Sequence, residues 1–333
     1  MTQEEFSKFE RILIIRLSSL GDILLTTPLL RAIKQKFPDI ETDFLVRSEY
    51  ADALKYNPHI SKLYFFNREP GKTDILLNEL KLKKYDLIID LQNNLRSRSL
   101  CNKLSQKTVR FNKRSFDKFL LVKFKINRLI NSPHIPVRYA SVIQGLSLDD
   151  KGLELITDKM AYSLVEGKKI NIGLCPGAKH FTKRWPEKYF IELGNKLVEK
   201  NFQILLFGGR SDRKICQEIC ESVPGSIDLS NDDDLLQTSA DMKLCSAVVC
   251  NDSGLMHTAA ASGTKVLAIF GSTVKEFGFT PFNCNHLILE NNSLTCRPCS
   301  HIGRENCPQK HFNCMNDIYP TKVINSLLEL LKN

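Results

Sequence analysis

The segment RILIIRLSSLGDILLTTPLLRAIKQKFP, residues 11–38, joins a short apolar run to a polar turn and then to an amphipathic stretch. Residues 11–16 predict a β-strand, and the apolar positions within residues 22–36 recur at helical spacing. The same alternation continues with predicted strands at residues 42–46, 63–66, 86–90 and 108–111 and a predicted helix at residues 73–84. Alternating strands and helices predict a parallel, doubly wound sheet, so the fold class is α/β.

The alternation stops between about residues 145 and 169, which we interpret as a linker. A second series follows, with strands at residues 170–174, 203–207, 247–250 and 265–270 and helices at residues 186–200, 212–222 and 253–261. A chain of 333 residues is long enough for about two domains. We therefore predict a first domain over residues 1–150, a second over residues 168–317 and a C-terminal helix over residues 318–333.

Composition and charge exclude several classes of protein. An apolar content of 42% with 25% charged residues is typical of a folded chain. No apolar run approaches the roughly 18–20 residues of a membrane span, and the charged residues 1–10 are unlike a signal peptide. Twelve Lys or Arg and one acidic residue, Asp117, lie within residues 96–138. This basic stretch favours a phosphate-bearing partner, whether nucleic acid, anionic lipid or phosphorylated glycan, with a merely solvated surface as the alternative.

Ligands of doubly wound sheets bind beyond the carboxyl ends of the strands, so binding residues are expected in the loops that follow strands. The first loop, residues 16–22, has a single glycine and is therefore not the dinucleotide-binding fingerprint, which counts against a nicotinamide or flavin enzyme. Gly21 allows a tight turn or the close approach of a ligand. Asp22 is either a helix cap or an ionised carboxylate placed as a general base.

The second loop, residues 175–186, contains Gly177 and a group of cations that includes Lys179 and Lys183. Cations at the carboxyl end of a strand are suited to hold a phosphate leaving group. The alternative is a basic surface loop in which Trp185 packs into the core.

The third loop, residues 250–257, ends a strand with Asp252 and begins a helix at Ser253 and Gly254. Free N–H groups at a helix start form an anion site suited to a diphosphate. Asp252 either caps this helix or accepts a hydrogen bond from a ribose hydroxyl. Ser272, after the next strand, could contact the same phosphates. The three loops together favour a nucleotide-type ligand.

Residues 11–38, PGAKHFTKRWP at 176–186 and NDSGLMHTAAASGTKVLAIFGST at 251–273 resemble, in order and spacing, the ADP-heptose:lipopolysaccharide heptosyltransferases of glycosyltransferase family 9. The resemblance covers about residues 11–320. It implies a GT-B fold, with two Rossmann-like domains facing a central cleft, the acceptor on the first and the nucleotide-sugar on the second. It also implies inverting transfer of heptose, or a related sugar, from an ADP-sugar to the lipopolysaccharide inner core, in the cytoplasm and peripherally at the inner membrane.

The resemblance also assigns roles by motif. The catalytic aspartate falls on Asp22 and the lysine that meets the donor phosphates falls on Lys183. The nucleotide-sugar segment includes His257, for which a packed core histidine is the alternative interpretation. Ala178 stands where some members carry a threonine, as does Lys179. The donor-binding set is Gly177, Lys179, Asp252, Ser253, Gly254, His257 and Ser272, and the acceptor-side set is Ser19, Gly21 and Arg96.

Eleven cysteines without an export signal indicate reduced thiols. Four of them lie close together in sequence: Cys296, Cys299, Cys307 and Cys314. This spacing fits a structural zinc site, and packed or redox-labile thiols are the other interpretation. The predicted chemistry requires no cofactor, because the three loops hold no acidic pair for a metal and their cations would take its place.

The predicted partners are a nucleotide-sugar and a phosphorylated, lipid-linked glycan, with no nucleic acid. Two alternatives remain open at this point. One is a GT-B enzyme with another nucleotide-sugar donor, and the other is a basic, zinc-stabilised protein that binds nucleic acid.

Overall fold

A computed structural model describes residues 1–67, 69, 71–162 and 169–332. The chain divides into two compact units, the first comprising residues 1–114 and 133–156 and the second comprising residues 115–132 and 157–333. Each unit contains a parallel β-sheet flanked by helices, which confirms the predicted α/β class. No helix in these ranges combines the length and the apolar character that a bilayer crossing requires.

The strands and helices alternate along most of the chain. The strands are β1 Arg11–Ile15, β2 Glu41–Arg47, β3 Lys62–Phe66, β4 Leu87–Asp90, β5 Thr108–Arg110, β6 Asn171–Cys175, β7 Gln203–Leu206, β8 Ile227–Asp228, β9 Ala247–Asn251, β10 Lys265–Phe270 and β11 His286–Glu290. The α-helices are α1 Gln3–Phe6, α2 Leu20–Leu24, α3 Thr27–Lys36, α4 Lys72–Leu82, α5 Leu95–Leu104, α6 Ser115–Phe124, α7 Ile135–Ala140, α8 Glu187–Glu199, α9 Arg213–Ser222, α10 Leu235–Met242, α11 Gly254–Ala261, α12 Asn313–Asn316 and α13 Pro320–Lys332. Short 3₁₀ turns cover Ser48–Ala53, Phe181–Lys183, Arg210–Asp212 and Lys275–Phe277.

The sheet of the first unit has the order β3-β2-β1-β4-β5 within the described ranges, with every pair parallel. Residues 12–15 of the central strand are fully buried, as expected for a parallel sheet that helices cover on both faces. The C-terminal part of this unit is held by Arg31, whose guanidinium contacts Asp149 at 2.6 Å and Glu154 at 3.2 Å. Residues 133–156 therefore belong to the first unit.

The sheet of the second unit has the order β11-β10-β9-β6-β7-β8 among the residues described. Its central strands β6 and β9 are buried along their whole length. Helix α13 packs its apolar side into the same core through Val323, Leu327 and Leu330. The C-terminal helix is thus an integral part of the second unit.

The predicted helix over residues 22–36 is two helices, α2 and α3. The hydroxyls of Thr26 and Thr27 donate to the carbonyls of Ile23 and Leu24, which gives this backbone an alternative to a continuous helix. Pro28, which has no N–H, lies in the first turn of α3, where none is needed. The polar residues therefore end one helix and start the next.

Two boundaries differ from the predicted ones. Residues 115–132 lie in the second unit rather than in a first domain over 1–150, because Leu121 and Leu129 pack with Phe277. Part of the predicted linker belongs to the two units, since residues 145–156 lie in the first unit and the Thr157 hydroxyl donates to the Leu236 carbonyl in the second. Residues 163–168 of that linker lie outside the described residues. The prediction also missed α1, α5, α6, α7, α10, α12, β8 and β11.

Candidate active site

Asp22 lies in the first turn of α2, directly after the loop that follows β1. Its Oδ1 contacts Nη2 of Arg16 at 2.6 Å, and its Oδ2 accepts from the Ser19 hydroxyl at 2.7 Å and the Ser19 N–H at 3.2 Å. Asp22 therefore caps the helix, which is one of its two predicted roles. It is also paired with the buried guanidinium of Arg16. A carboxylate has about four acceptor sites, so capacity remains for a substrate hydroxyl.

The charge on Asp22 is set by two opposing effects. Burial acts to raise the pKa of this carboxyl, but the positive charge of Arg16 and the hydrogen bonds from Ser19 outweigh burial and lower it. Arg16 is itself held in place, since its Nη1 donates to the Leu91 carbonyl at 2.7 Å and its guanidinium lies 5.8 Å from the Tyr139 ring centre. Asp22 is therefore ionised at neutral pH and has a fixed orientation.

Two residues that the sequence analysis did not single out support this loop. Gln92 accepts through Oε1 from the N–H groups of Leu17 and Ser18 at 2.9 and 3.1 Å. Lys113 is half-buried and close enough to Asp22 for the carboxylate to act on its pKa, although burial and Arg16 lower that pKa overall. No motif in the sequence points to Gln92, and Lys113 is one cation among the twelve of the basic stretch.

The predicted acceptor-side residues do not all meet at this loop. Ser19 bonds directly to Asp22, and Gly21 is buried inside α2. Arg96 is exposed on α5, with its guanidinium 5.9 Å from the Phe66 ring centre. Arg96 is therefore not part of the hydrogen-bonded group around Asp22.

Replacing Arg16 by glutamine tests the electrostatic control of Asp22. Because burial would then act on the carboxyl without the opposing cation, we expect its pKa to rise and the acidic limb of the kcat/KM profile to move to higher pH. For the wild type we expect that limb at a lower pH than for an ordinary aspartate, because the pKa of Asp22 is lowered. The pH profiles of both proteins measure the shift. An unchanged limb would contradict the assignment of Asp22 as the titrating base.

In the second unit, three neighbouring strands bring Lys183, Asp252 and Thr273 together. Lys183 Nζ lies 2.7 Å from Asp252 Oδ2, and the Thr273 hydroxyl donates to the same oxygen at 2.6 Å. The residues follow β6, β9 and β10, whose carboxyl ends share one edge of the sheet. The Asp252 side chain is 8% exposed and that of Lys183 is 16% exposed. A lysine with its charge near the surface of a largely buried site can meet an incoming anion.

Asn251 and Trp185 hold the loop that carries Lys183. Asn251 donates to the Pro176 carbonyl at 2.8 Å and accepts from the Trp185 N–H at 2.9 Å. The Trp185 ring is buried in the core, and its indole N–H donates to the Ile318 carbonyl. Trp185 therefore packs into the core, as the alternative interpretation of this loop predicted. Lys183, in contrast, lies in the site with Asp252.

The start of α11 has the features of an anion site. Ser253 precedes the first helical residue, Gly254, and its side chain makes no capping hydrogen bond. The hydroxyls of Ser253 and Ser272 are buried without a hydrogen-bond partner among the described residues. Buried polar atoms normally have partners, so two such hydroxyls near free helical N–H groups indicate a place for a polar ligand.

Gly177 is required by a residue that the sequence analysis treated only as the start of a helix. A Cβ at Gly177 would lie 2.2 Å from Cγ of Asp212, so only glycine leaves room for that carboxylate. Burial raises the pKa of Asp212, and the Gly209 N–H donates to it at 3.4 Å. A close approach between glycine and a distant aspartate has no signature in a single sequence.

The remaining donor-set residues are placed differently. Lys179 is exposed on the loop after β6. His257 is 4% exposed within α11, which fits a packed histidine as well as a ligand contact. Their roles stay predictions.

The four C-terminal cysteines lie near one another. Cys296 Sγ is 3.9 Å from His311 Nε2, and burial together with the other three thiols raises the pKa of Cys314 to about 12, with Arg297 opposing. Among the described residues, which include these cysteines, no three Cys, His, Asp or Glu side chains are arranged to hold a metal ion. The structural zinc site and the packed thiols both stay predictions.

Treatment with a metal chelator tests the packed-thiol interpretation. Because the described residues present no group of three metal ligands, we expect the melting temperature to stay the same after exhaustive dialysis against the chelator. Calorimetry and elemental analysis of the dialysed protein provide the measurement. A stoichiometric metal whose removal lowers the melting temperature would contradict the packed-thiol interpretation.

Comparison with known families agrees with this arrangement of loops. The model for glycosyltransferase family 9 (heptosyltransferase) matches residues 75–310. Lipooligosaccharide heptosyltransferase 2 of Campylobacter jejuni is 30% identical over 326 residues, covering 94% of this chain and 96% of that protein.

Two solved structures are similar in fold. A family 9 glycosyltransferase from Veillonella parvula gives a TM-score of 0.76 at 20% identity and covers 97% of each chain. The ADP-heptose lipopolysaccharide heptosyltransferase II of Escherichia coli gives a TM-score of 0.73 at 23% identity and covers 96% of this chain and 98% of its own. This similarity confirms the predicted GT-B fold.

Proposed function

Because this chain belongs to glycosyltransferase family 9, the heptosyltransferases, we propose that it transfers heptose, or a closely related sugar, from an ADP-sugar to the lipopolysaccharide inner core. The observation that carries this proposal is the group formed by Lys183, Asp252 and Thr273 beside the start of α11. One cation, free helical N–H groups and two buried hydroxyls without partners match the needs of a diphosphate. Family membership also decides for an enzyme over the nucleic-acid-binding alternative.

The proposed reaction is a single displacement with inversion. The acceptor oxygen forms a bond to the anomeric carbon while the bond from that carbon to the diphosphate oxygen breaks. The acceptor proton passes to the Asp22 carboxylate, and the electron pair of the broken bond leaves with the nucleoside diphosphate. Asp22 is ionised and oriented by Arg16 and Ser19, which suits a general base.

In the second unit, the roles follow from charge. Lys183 and the N–H groups at the start of α11 stabilise the negative charge that grows on the leaving diphosphate. Asp252 orients the Lys183 ammonium, and Thr273 fixes Asp252 in turn. Asp212, buried against Gly177, is an acceptor suited to a sugar hydroxyl of the donor.

The acceptor is proposed to be a phosphorylated, lipid-linked glycan, with the enzyme peripheral to the inner membrane on its cytoplasmic side. The basic stretch of residues 96–138 supports this partner, since its twelve cations complement phosphate groups. The related protein from Campylobacter jejuni is named for lipooligosaccharide, which also supports it.

Replacing Ser272 by alanine tests the donor site. We expect ADP to bind about tenfold more weakly, because one hydroxyl partner of the diphosphate is lost. We expect the unliganded protein to be at least as stable as the wild type, since a buried hydroxyl without a partner is removed. Titration calorimetry with ADP, UDP, GDP, CMP and NAD, together with thermal melting, measures both effects.

Ser239→Ala is the matched control. Ser239 is equally buried, but its hydroxyl is bonded to that of Ser262 at 2.9 Å. This variant should lose stability and keep its affinity for ADP. Tighter binding of UDP or GDP than of ADP would change the donor while keeping the reaction type, and no binding of any nucleotide would contradict the proposed donor site.

A further inference from the structure

Helix α6 and the loop after it expose an unusual amount of apolar surface. Five side chains, which we call the α6 surface, are between 49% and 65% exposed: Phe116, Phe119, Phe124, Ile126 and Ile130. The rings of Phe119 and Phe124 contact each other edge to face, with centres 5.9 Å apart. The five side chains lie within residues 116–130, and exposed apolar surface of this kind marks interaction sites.

The outermost phenylalanines of the α6 surface lie on the side of the helix that faces away from the core. At 100° per residue, Phe116 and Phe119 lie on the side of α6 opposite Leu121, which packs with Leu129 and Phe277. The helix is thus apolar towards its own unit and apolar on the outside as well. A helix at the surface of a water-soluble unit normally carries polar residues on its outer face. The outer phenylalanines therefore need another environment.

One exposed cation lies within the patch. Lys123 is exposed and, by the same helical geometry, lies between Phe116 and Phe119 around the helix. Residues 115–132 contain four cations and one carboxylate: Lys118, Lys123, Lys125 and Arg128, and Asp117. Aromatic and aliphatic side chains interleaved with lysine and arginine are the composition of segments that lie in a bilayer interface.

The segment is also held firmly to its unit. The Lys125 ammonium donates to the carbonyls of Cys296 and Pro298 at 3.0 and 2.7 Å. Leu129 is fully buried just before the exposed Ile130. The patch is therefore presented by a fixed scaffold and needs little ordering when it binds.

We propose that the α6 surface docks the protein on an anionic lipid bilayer, with its phenylalanines at the boundary of headgroups and acyl chains. Lys123, which lies between Phe116 and Phe119 around the helix, then lies against the lipid phosphates. An apolar protein partner fits less well, because the cores of protein interfaces are depleted in lysine, whereas an anionic lipid surface attracts it. The inference rests on the proposed function only in that the acceptor is lipid-linked.

Vesicle binding tests this proposal directly. Vesicles of phosphatidylcholine with about one third phosphatidylglycerol should sediment the wild-type protein, whereas pure phosphatidylcholine vesicles should bind it much more weakly. A variant carrying Phe116→Ser, Phe119→Ser and Phe124→Ser should bind the anionic vesicles at least about thirtyfold more weakly. The matched control carries Ile75→Ser, Leu82→Ser and Leu95→Ser, three exposed apolar residues of the first unit, and should bind like the wild type.

Lys123→Glu supplies a milder variant in case the triple variant unfolds, and it should reduce binding to the anionic vesicles selectively. Transfer to a deacylated, water-soluble acceptor should be unchanged in the triple variant and in its matched control, so failure of docking and failure of the proposed reaction are distinguishable. Equal vesicle binding by the wild type and both α6 variants would overturn the proposal. A wild-type dimer that the triple variant converts to monomer, with no vesicle binding, would overturn it in favour of a second copy of the chain.

Discussion

Asp22→Asn should lower kcat for sugar transfer by about a thousandfold, since general bases contribute about 10²–10⁴-fold. Asparagine has nearly the same shape and can still accept the Ser19 hydrogen bonds, so the loop keeps its course. It cannot take a proton from the acceptor hydroxyl. Steady-state transfer with ADP-heptose and a lipopolysaccharide acceptor that lacks the heptose measures the effect.

The controls for this variant separate base catalysis from folding. Asp22→Asn leaves the buried Arg16 guanidinium without its counter-charge, which alone destabilises the first unit. The double variant Arg16→Gln, Asp22→Asn removes the buried charge and should recover melting temperature without recovering activity. ADP affinity should match the wild type in both proteins, because the donor residues lie in the second unit. A kcat within tenfold of wild type for a folded Asp22→Asn protein would contradict the role of Asp22 as the base.

The sequence predicts the strands of both units well, because their buried faces need continuous apolar runs. Ile12 to Ile15 and Val266 to Ile269 are such runs, and both form central or near-central strands. Ligands of such sheets bind at the carboxyl ends of the strands, so the sequence predicts binding residues in the loops that follow them. Lys183 and Asp252 are predicted in this way, and the structure places them 2.7 Å apart.

The parts that the sequence does not predict depend on long-range contacts. Helix α6 belongs to the second unit because Leu121 meets Phe277, more than a hundred residues away, and Lys125 bonds to the carbonyls of Cys296 and Pro298.

Gln92 enters the first site through Leu17 and Ser18, which lie 75 and 74 residues away in the sequence. Asp212 enters the second site through its close approach to Gly177. Neither the spacing nor the composition of the sequence indicates such pairings. Both residues therefore have the pattern of ordinary loop or helix-end positions.

The charge pair of Lys183 and Asp252 leads to the second large effect. Lys183→Met should lower kcat/KM by about 10²–10³-fold, because the leaving diphosphate loses the cation that stabilises it. Affinity for ADP should fall in the same variant, since the cation also meets the ground-state diphosphate. The same substitution leaves Asp252 nearly buried without its counter-charge, so we expect the protein to lose about 1–3 kcal/mol of unfolding free energy.

The double variant Lys183→Met, Asp252→Asn separates these two consequences. Asparagine can still accept from Thr273, while no unpaired charge remains in the site. We therefore expect urea unfolding of the double variant to resemble that of the wild type and its transfer rate to stay as low as that of Lys183→Met. Recovery of transfer together with stability would show that Lys183 only neutralises Asp252. A rate that remains low in a fully stable protein fits a Lys183 charge that acts on the leaving diphosphate rather than on folding.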